Sequence, residues 1–189
     1  MDDFNLSGHI LISSNTVNDL CTNDNIILVF NSNSRMTTGL ILNKPIQDIY
    51  LDTLLNQLNM GTKSDFKNVS HVKLYFGGPE DISKGFVIHT CDKKYSSTIL
   101  IGNDLAVTYS LDILRDIANG IMPKQYFVAI GLVVWKGREL EGEIQNNTWI
   151  TAKASKKLVF FDNAKTHKEY ILNQIGVKQS NLSCFYGNA

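Results

Sequence analysis

The chain has 189 residues, and its 18 Lys and Arg residues balance 18 Asp and Glu residues to a formal net charge of +0. Proteins that bind nucleic acid or anionic membranes normally carry a basic surplus, because neutralised phosphates supply much of their affinity. The composition, 43% hydrophobic and 19% charged, is that of a globular protein, and the length predicts one domain over residues 1–189.

Several features of the sequence indicate the cytoplasm. Cys21, Cys91 and Cys184 are odd in number, distant from one another and without a C-x-x-C pair, as expected of free thiols in a reducing compartment. The N-terminus lacks the basic start and apolar core of a signal peptide. The longest apolar run, Tyr126–Trp135, is far shorter than the roughly 20 residues that span a bilayer, so we expect no membrane contact.

The first part of the chain predicts three strands and one helix. Short β-branched runs typical of buried strands, separated by polar links, occupy Gly8–Ser13, Ile26–Phe30 and Gly39–Leu42. The third run stops at Pro45, which has no N–H to donate to a strand ladder. Leucines at helical spacing predict a helix that stops at Gly61: Leu51, Leu54, Leu55 and Leu58. The segment from Gly61 to Ser70 carries the weakest signal for structure.

The central stretch, Val72–His89, predicts two further strands. An alternating apolar run reaches Phe76, the turn Gly77-Gly78-Pro79 interrupts it, and a second apolar run ends at His89. We expect these two strands, joined across the turn, to form the middle of a sheet.

The remainder of the chain predicts four strands and three helices. The strands are a hairpin, Thr98–Ile101 and Leu105–Thr108, then Tyr126–Trp135 and Trp149–Ala152. Ser110 is a candidate N-cap for a helix whose apolar side is Leu111, Leu114, Ile117 and Ala118. Arg138–Asn146 predicts a short charged helix, and Thr166 with Glu169 fits a capping box for a last helix that ends before Gly176. In the polar tail, we expect Cys184, Phe185 and Tyr186 to pack on the core.

The order of these elements favours an α+β fold. Strands occur in neighbouring groups with few helices between them, which is typical of a largely antiparallel sheet and not of a doubly wound parallel one. No repeat, low-complexity tract or linker divides the chain.

Several motifs, taken together, resemble the AlgH/YqgE family. They are G-H-I-L-I-S at 8–13, G-L-I-L-N-K-P at 39–45, Y-F-G-G-P at 75–79, G-F-V-I-H at 85–89, S-x-D-x-L at 110–114, G-x-x-x-W with L-E and E at 131–143, and N-x-W at 147–149. The resemblance implies a single compact α+β domain with a mixed, largely antiparallel, barrel-like bifurcated sheet and a few flanking helices, in a bacterial cytosolic protein. Members of the family are often labelled transcriptional regulators, on genetic and not chemical grounds.

The sequence departs from the usual family pattern at three places. The family usually has a bulkier, Arg-containing block before the second strand, where this chain has Asn23–Ile27. It usually has Gly-Gln where this chain has Arg138-Glu139, and a penultimate histidine where this chain has Asn188. A role that needs that histidine is therefore not expected of this chain.

The positions that match the family motifs form our predicted binding site, because the resemblance supplies no agreed catalytic residues. They are Asn43, Lys44, Pro45, Gly77, Gly78, Pro79, His89, Trp135, Glu141 and Trp149. We predict no cofactor, and no metal site, since no H-x-x-H or H-E-x-x-H spacing is present.

Each candidate has a functional and a structural interpretation. The Gly77-Gly78 turn fits an anion-binding nest or a tight turn, and Lys44 fits an anion ligand or a solvated lysine. His89 fits a general acid or base, or a hydrogen-bonded structural residue. The tryptophans fit interface anchors or core residues, and the helix that carries Glu141 most simply forms a solvated face.

Three functional hypotheses follow. The first is a non-enzymatic regulatory or protein-interaction module with a protein partner, since no catalytic frame is visible. The second is a small-molecule or anion-binding protein, or an enzyme, with its site near Lys44, Gly77, Gly78 and His89. The third, direct DNA binding, rests on the family label alone, because the sequence shows no helix-turn-helix, basic helix or positive surplus.

Overall fold

The computed structural model describes residues 5–14, 24–161 and 163–177. The prediction that Cys184, Phe185 and Tyr186 pack on the core concerns residues outside these ranges. Most of the polar link at 15–25, with Asn23, and the tail residue Asn188 also lie outside them. The chain divides into two compact units, which we call the terminal unit (1–43 and 134–189) and the central unit (44–133). The single-domain assignment stays a prediction.

The described residues form ten strands and five α-helices. The strands are β1 His9–Ser13, β2 Ile26–Ser32, β3 Met36–Ile41, β4 Pro45–Tyr50, β5 Lys73–Phe76, β6 Glu80–Thr90, β7 Thr98–Ile101, β8 Leu105–Thr108, β9 Tyr126–Lys136 and β10 Trp149–Lys153. The helices are α1 Leu51–Gln57, α2 Leu111–Ala118, α3 Glu139–Gln145, α4 Lys156–Val159 and α5 His167–Gln174. Apart from β4, every strand corresponds to a predicted apolar run.

The terminal unit is built on antiparallel strands in the order β10, β1, β2, β3. Ile10 lies opposite both Leu28 and Ala152, and Leu28 lies opposite Leu40. These side chains are almost completely buried, as the near-continuous apolar runs of β1 and β2 predict. The last residues of β9, from Val134, belong to this unit.

The central unit is organised around the first part of β9. One edge of that strand pairs antiparallel with β6, and the other pairs parallel with β5, so the same residue, Ile130, has partners on both sides. Beyond β6 follow β8 and β7, while β4 lies beyond β5. Helices α1 and α2 bury Leu51, Leu55, Ile113 and Ile117 in its core. With β3, β5 and β6 all neighbours of β9, the sheet is bifurcated, and the prediction of a largely antiparallel α+β fold is confirmed.

The structure adds detail to two local predictions and contradicts a third. β5 and β6 do not pair with each other, because β9 lies between them. Ser110 is the N-cap residue of α2, as predicted, although its hydroxyl donates to the Asp112 carboxylate and accepts no helix N–H. The predicted capping box of Thr166 with Glu169 is wrong, because Thr166 makes no side-chain cap at the start of α5.

Two elements of the structure were not predicted from the sequence, a 3₁₀ turn and strand β4. A capping box does form at Thr62 and Asp65, where a 3₁₀ turn occupies the segment with the weakest sequence signal. Pro45 ends no element and instead begins β4, a position where its missing N–H is tolerated.

Candidate functional site

The Gly77-Gly78 turn is packed against the backbone of β9. The Gly77 N–H donates to the Ile130 carbonyl (2.7 Å), so it is not directed at a ligand. A Cβ on Gly78, whose φ is 153°, would lie 2.2 Å from the carbonyl carbon of Leu132. A Cβ on Gly131 would lie 2.2 Å from the Gly78 carbonyl oxygen. The glycines therefore let the chain pass from β5 to β6 across β9, which supports the structural interpretation of the turn.

Asn43 and Lys44 also form hydrogen bonds with other residues of the chain. The Asn43 side chain accepts the Ile26 N–H (3.1 Å) and donates to the Asp24 carbonyl (2.6 Å), which fixes the altered block before β2. The Lys44 carbonyl accepts the Phe76 N–H (2.8 Å), and the Lys44 side chain is partly buried. Pro45 and Pro79 are exposed at the starts of β4 and β6.

His89 is fully buried, and both of its ring nitrogens are hydrogen-bonded. Nδ1 lies 2.8 Å from the Thr90 carbonyl, which can only accept, so Nδ1 carries the proton. Nε2 then accepts from the Thr108 hydroxyl (2.9 Å), which in turn accepts from Thr98. The Thr98 oxygen closes the series by accepting the Tyr95 N–H (2.7 Å). Burial lowers the pKa of His89, more than the Thr90 hydrogen bond and the Asp92 charge raise it. The imidazole is a neutral core residue.

The two tryptophans of the terminal unit share one acceptor. The indole N–H groups of Trp135 and Trp149 donate to the same Glu143 carboxylate oxygen, at 2.9 and 2.6 Å. Their rings meet edge to face at 6.3 Å, and both are about 5% exposed. Glu141, the predicted site residue, instead pairs with exposed Arg138 (3.4 Å). These contacts favour the core interpretation of the tryptophans. Glu143, the last glutamate of the motif at 131–143, was not among the predicted site residues, although that motif was the signal that could have identified it.

The predicted site residues divide between the two units. The terminal unit holds Asn43, Trp135, Glu141 and Trp149, and the central unit holds Lys44, Pro45, Gly77, Gly78, Pro79 and His89. Apart from neighbours in sequence, the contacts given above bring together Trp135 and Trp149, whose rings meet and whose indole N–H groups share Glu143. The site as a whole stays a prediction.

The central unit contains a cavity that sequence reasoning did not predict. It has a volume of about 520 Å³, and we call it the apolar groove. It is lined by Ile46, Ile49, Leu54, Gln57, Leu58, Leu74, Ile82, Ser83, Lys84, Gly85, Tyr109, Leu111, Leu114 and Ile130. Helices α1 and α2 contribute three of the leucines and Leu58 follows α1 as its C-cap, while Leu74 and Ile130 come from β5 and β9.

The rim of the apolar groove is exposed and its interior is not. Ile82 is 67% exposed, Tyr109 53% and Leu111 46%, whereas Leu74 and Leu114 are buried. The sequence did contain a signal, since Leu54, Leu58 and Leu111 were assigned to the apolar sides of helices. Periodicity identified an apolar face, but it does not show whether the fold covers that face.

Neither a metal centre nor a membrane helix is evident in the described ranges. There, no three His, Cys, Asp or Glu side chains are grouped so that they could hold a metal ion. No helix of those ranges is long and apolar enough to cross a membrane.

Comparison with known proteins identifies the family. A family model described as AlgH-like matches residues 10–180, so the chain belongs to the AlgH-like family. A UPF0301 protein of Nitrosospira multiformis is 33% identical over 189 residues, covering all of both chains. One from Burkholderia vietnamiensis is 33% identical over 190 residues, covering all of this chain and 97% of its own.

Solved structures agree with this assignment. The solution structure of AlgH from Pseudomonas aeruginosa has a TM-score of 0.78 and 28% identity, covering 96% of this chain and 95% of AlgH. The crystal structure of DIP2367 from Corynebacterium diphtheriae has a TM-score of 0.72 and 16% identity, covering 94% and 91%, and shows the fold alone. The resemblance read from the sequence is confirmed.

Proposed function

We propose that this protein is a non-enzymatic, cytoplasmic regulatory module that binds another protein through the rim of the apolar groove. The observation that carries this proposal is the clustering of large exposed apolar side chains around one cavity. Scattered surface leucines are common in globular proteins, but contiguous apolar surface marks binding sites. Ile49, Leu58, Ile82, Tyr109 and Leu111 are all at least 40% exposed, and all line the same groove.

The chemistry of the groove suits a protein contact. Lys84 is the one charged residue among its described lining residues, so burial of apolar area, and not ion pairing, would supply the affinity. Tyr109 offers the kind of amphipathic aromatic surface that is enriched at interface hot spots. The buried tryptophans, by contrast, expose only about 5% of their surface, which is too little to anchor a partner.

The second hypothesis, an anion or small-molecule site around Lys44, Gly77, Gly78 and His89, receives less support. The Gly77 N–H and both His89 ring nitrogens are already bonded within the chain. A ligand there would have to displace these bonds.

Affinity capture from a lysate of the native host tests the proposal. Ile82→Asp places a charge on the groove rim, and Ile121→Asp is the matched control, because Ile121 is 56% exposed and does not line the groove. We expect a partner that is retained by wild type and Ile121→Asp and lost by Ile82→Asp. A photoreactive residue at Ser83 should cross-link that same partner. A partner that Ile82→Asp retains, or the capture of none by the wild type, would contradict the proposal.

A further inference from the structure

We infer that the apolar groove is a binding site for a small aliphatic carboxylate, with the hydrocarbon chain inside the groove and the carboxylate against Lys84. This inference concerns the groove itself and goes beyond the proposed protein contact. It does not depend on whether a protein partner exists.

The size of the groove matches a small molecule. Pockets that bind drug-sized ligands and cofactors enclose about 300–1,000 Å³, and the groove holds about 520 Å³. Its buried residues, Leu74 and Leu114, form an apolar interior, and exposed residues such as Ile82 and Leu111 surround it. A ligand chain that enters past this rim would bury apolar surface against Leu74 and Leu114.

The side chains that line the groove indicate which kind of apolar ligand group it would bind, an alkyl chain or a planar ring. Nine are aliphatic, namely Ile46, Ile49, Leu54, Leu58, Leu74, Ile82, Leu111, Leu114 and Ile130. Tyr109 is the single aromatic side chain among the described lining residues. Sites for planar bases or rings usually provide aromatic stacking surfaces, whereas flexible alkyl chains need only apolar walls. The lining therefore favours an alkyl chain.

The polar residues of the groove indicate the charge of the ligand's head group. Ser83 and Lys84 are neighbours in β6, between Glu80 and Gly85, where the pairing with β9 shifts register. Because the one charged lining residue is a cation, an anionic head group complements the groove and a cationic one does not. An ammonium group has three donors and can bond more than one carboxylate oxygen.

Asp81 limits the strength of that head-group contact. Its carboxylate lies 2.7 Å from the Lys84 ammonium, both side chains are about half exposed, and Asp81 does not line the groove. A ligand carboxylate must share the ammonium with Asp81. Exposed ion pairs are weak, so Asp81 attenuates anion binding without preventing it.

Calorimetric titration with decanoate and decanol, below their aggregation concentrations, tests the inference. The two probes share an alkyl chain and differ in head group. We expect wild type to bind decanoate more tightly than decanol, and Lys84→Gln to abolish that preference. Asp81→Asn should tighten decanoate binding by about two- to fivefold and leave decanol unchanged, since an exposed ion pair is worth no more than this. Asn tolerates the positive φ of 50° at this position.

A pair of exposed leucines supplies the control for nonspecific amphiphile binding. Leu58 lines the groove and is 40% exposed, and Leu100 is 47% exposed but lies outside the groove lining. Leu58→Asp should abolish binding, and Leu100→Asp should retain it, with unfolding midpoints measured for both variants. Absence of saturable decanoate binding, equal binding of decanoate and decanol, or equal loss in the two leucine variants would overturn the inference. None of these outcomes bears on capture of a protein partner.

Discussion

The two units of the chain treat their large apolar side chains differently. In the described part of the terminal unit, Met36 is the single large apolar side chain that is exposed, and the two tryptophans are buried and bonded to Glu143. The other exposed large apolar side chains all belong to the central unit, where several surround one groove. We infer that the terminal unit serves as scaffold and that the central unit carries the binding surface.

The difference can be measured because both tryptophans of the chain, Trp135 and Trp149, belong to the terminal unit. Tryptophan fluorescence therefore reports on that unit, whereas circular dichroism reports on both. Unfolding experiments with the two probes can assign the effect of a substitution to one unit or the other.

The largest effect is expected from Gly78→Ala in the central unit. The new Cβ would lie 2.2 Å from the Leu132 backbone, which cannot move away as a flexible side chain can. We expect a loss of more than about 4 kcal/mol in unfolding free energy, or failure to fold, measured by urea denaturation followed by circular dichroism.

Gly85→Ala is the matched control for this prediction. Its Cβ would meet only the Ile130 side chain, at an ordinary 3.8 Å, and Gly85 does not have a positive φ. We expect a change within about 1 kcal/mol. Similar stabilities of the two variants would show that the crossing over β9 is not as tight as the structure indicates.

A smaller loss is expected from Glu143→Ala in the terminal unit. This substitution leaves two buried indole N–H groups without their acceptor, at a cost of about 1–3 kcal/mol for each. Chemical denaturation followed by tryptophan fluorescence measures the loss, and the emission of the native state should shift as well.

Glu141→Ala distinguishes the carboxylate that the two tryptophans share from a second carboxylate on the same helix, whose partner is exposed. The Arg138 side chain that pairs with Glu141 is 82% exposed, so the change should be at most about 1 kcal/mol. If Glu143→Ala costs no more than Glu141→Ala, the shared acceptor does not stabilise the terminal unit. If Glu143→Ala abolishes partner capture while the protein remains folded, the division into scaffold and binding surface is wrong.

Sequence reasoning predicted the elements because their signals are local. The apolar runs of β1 and β2 and the leucine spacing of α1 are each visible within a few residues. The fold class followed from their order. The position of β9 between β5 and β6 was missed, since the pairing of Leu74 with Val128 joins residues far apart in sequence. Local patterns predict two strands and the turn between them, but they do not show that a distant strand separates the two.

The candidate site was less accessible to sequence reasoning for a related reason. Residue type shows that Asn43 and His89 can bind a ligand, but not that the fold already supplies their partners. Glu143 belongs to the same helix as Glu141, which was interpreted as a solvated face, and only the folded structure shows that its oxygen accepts from both tryptophans. Leu58 and Leu111 were recognised as apolar without any indication that they stay exposed.

The smallest expected effect is a pH dependence to which each unit contributes one histidine. Burial lowers the pKa of His89 in the central unit and of His167 in the terminal unit, although His167 donates to the Leu158 carbonyl (2.6 Å). The unfolded chain therefore binds more protons than the native one once the pH falls below about 6.5, the ordinary histidine value. The stabilisation from these neutral imidazoles is complete above that pH and is lost as the pH falls from it toward the native pKa values.

Urea denaturation at several pH values should show a shallower decline of the unfolding free energy with falling pH for His89→Gln and for His167→Gln than for wild type. If the pH dependence measured by tryptophan fluorescence changes in His167→Gln and not in His89→Gln, the two units respond separately. If the pH dependence of stability is unchanged in both variants, neither imidazole is held neutral by the fold.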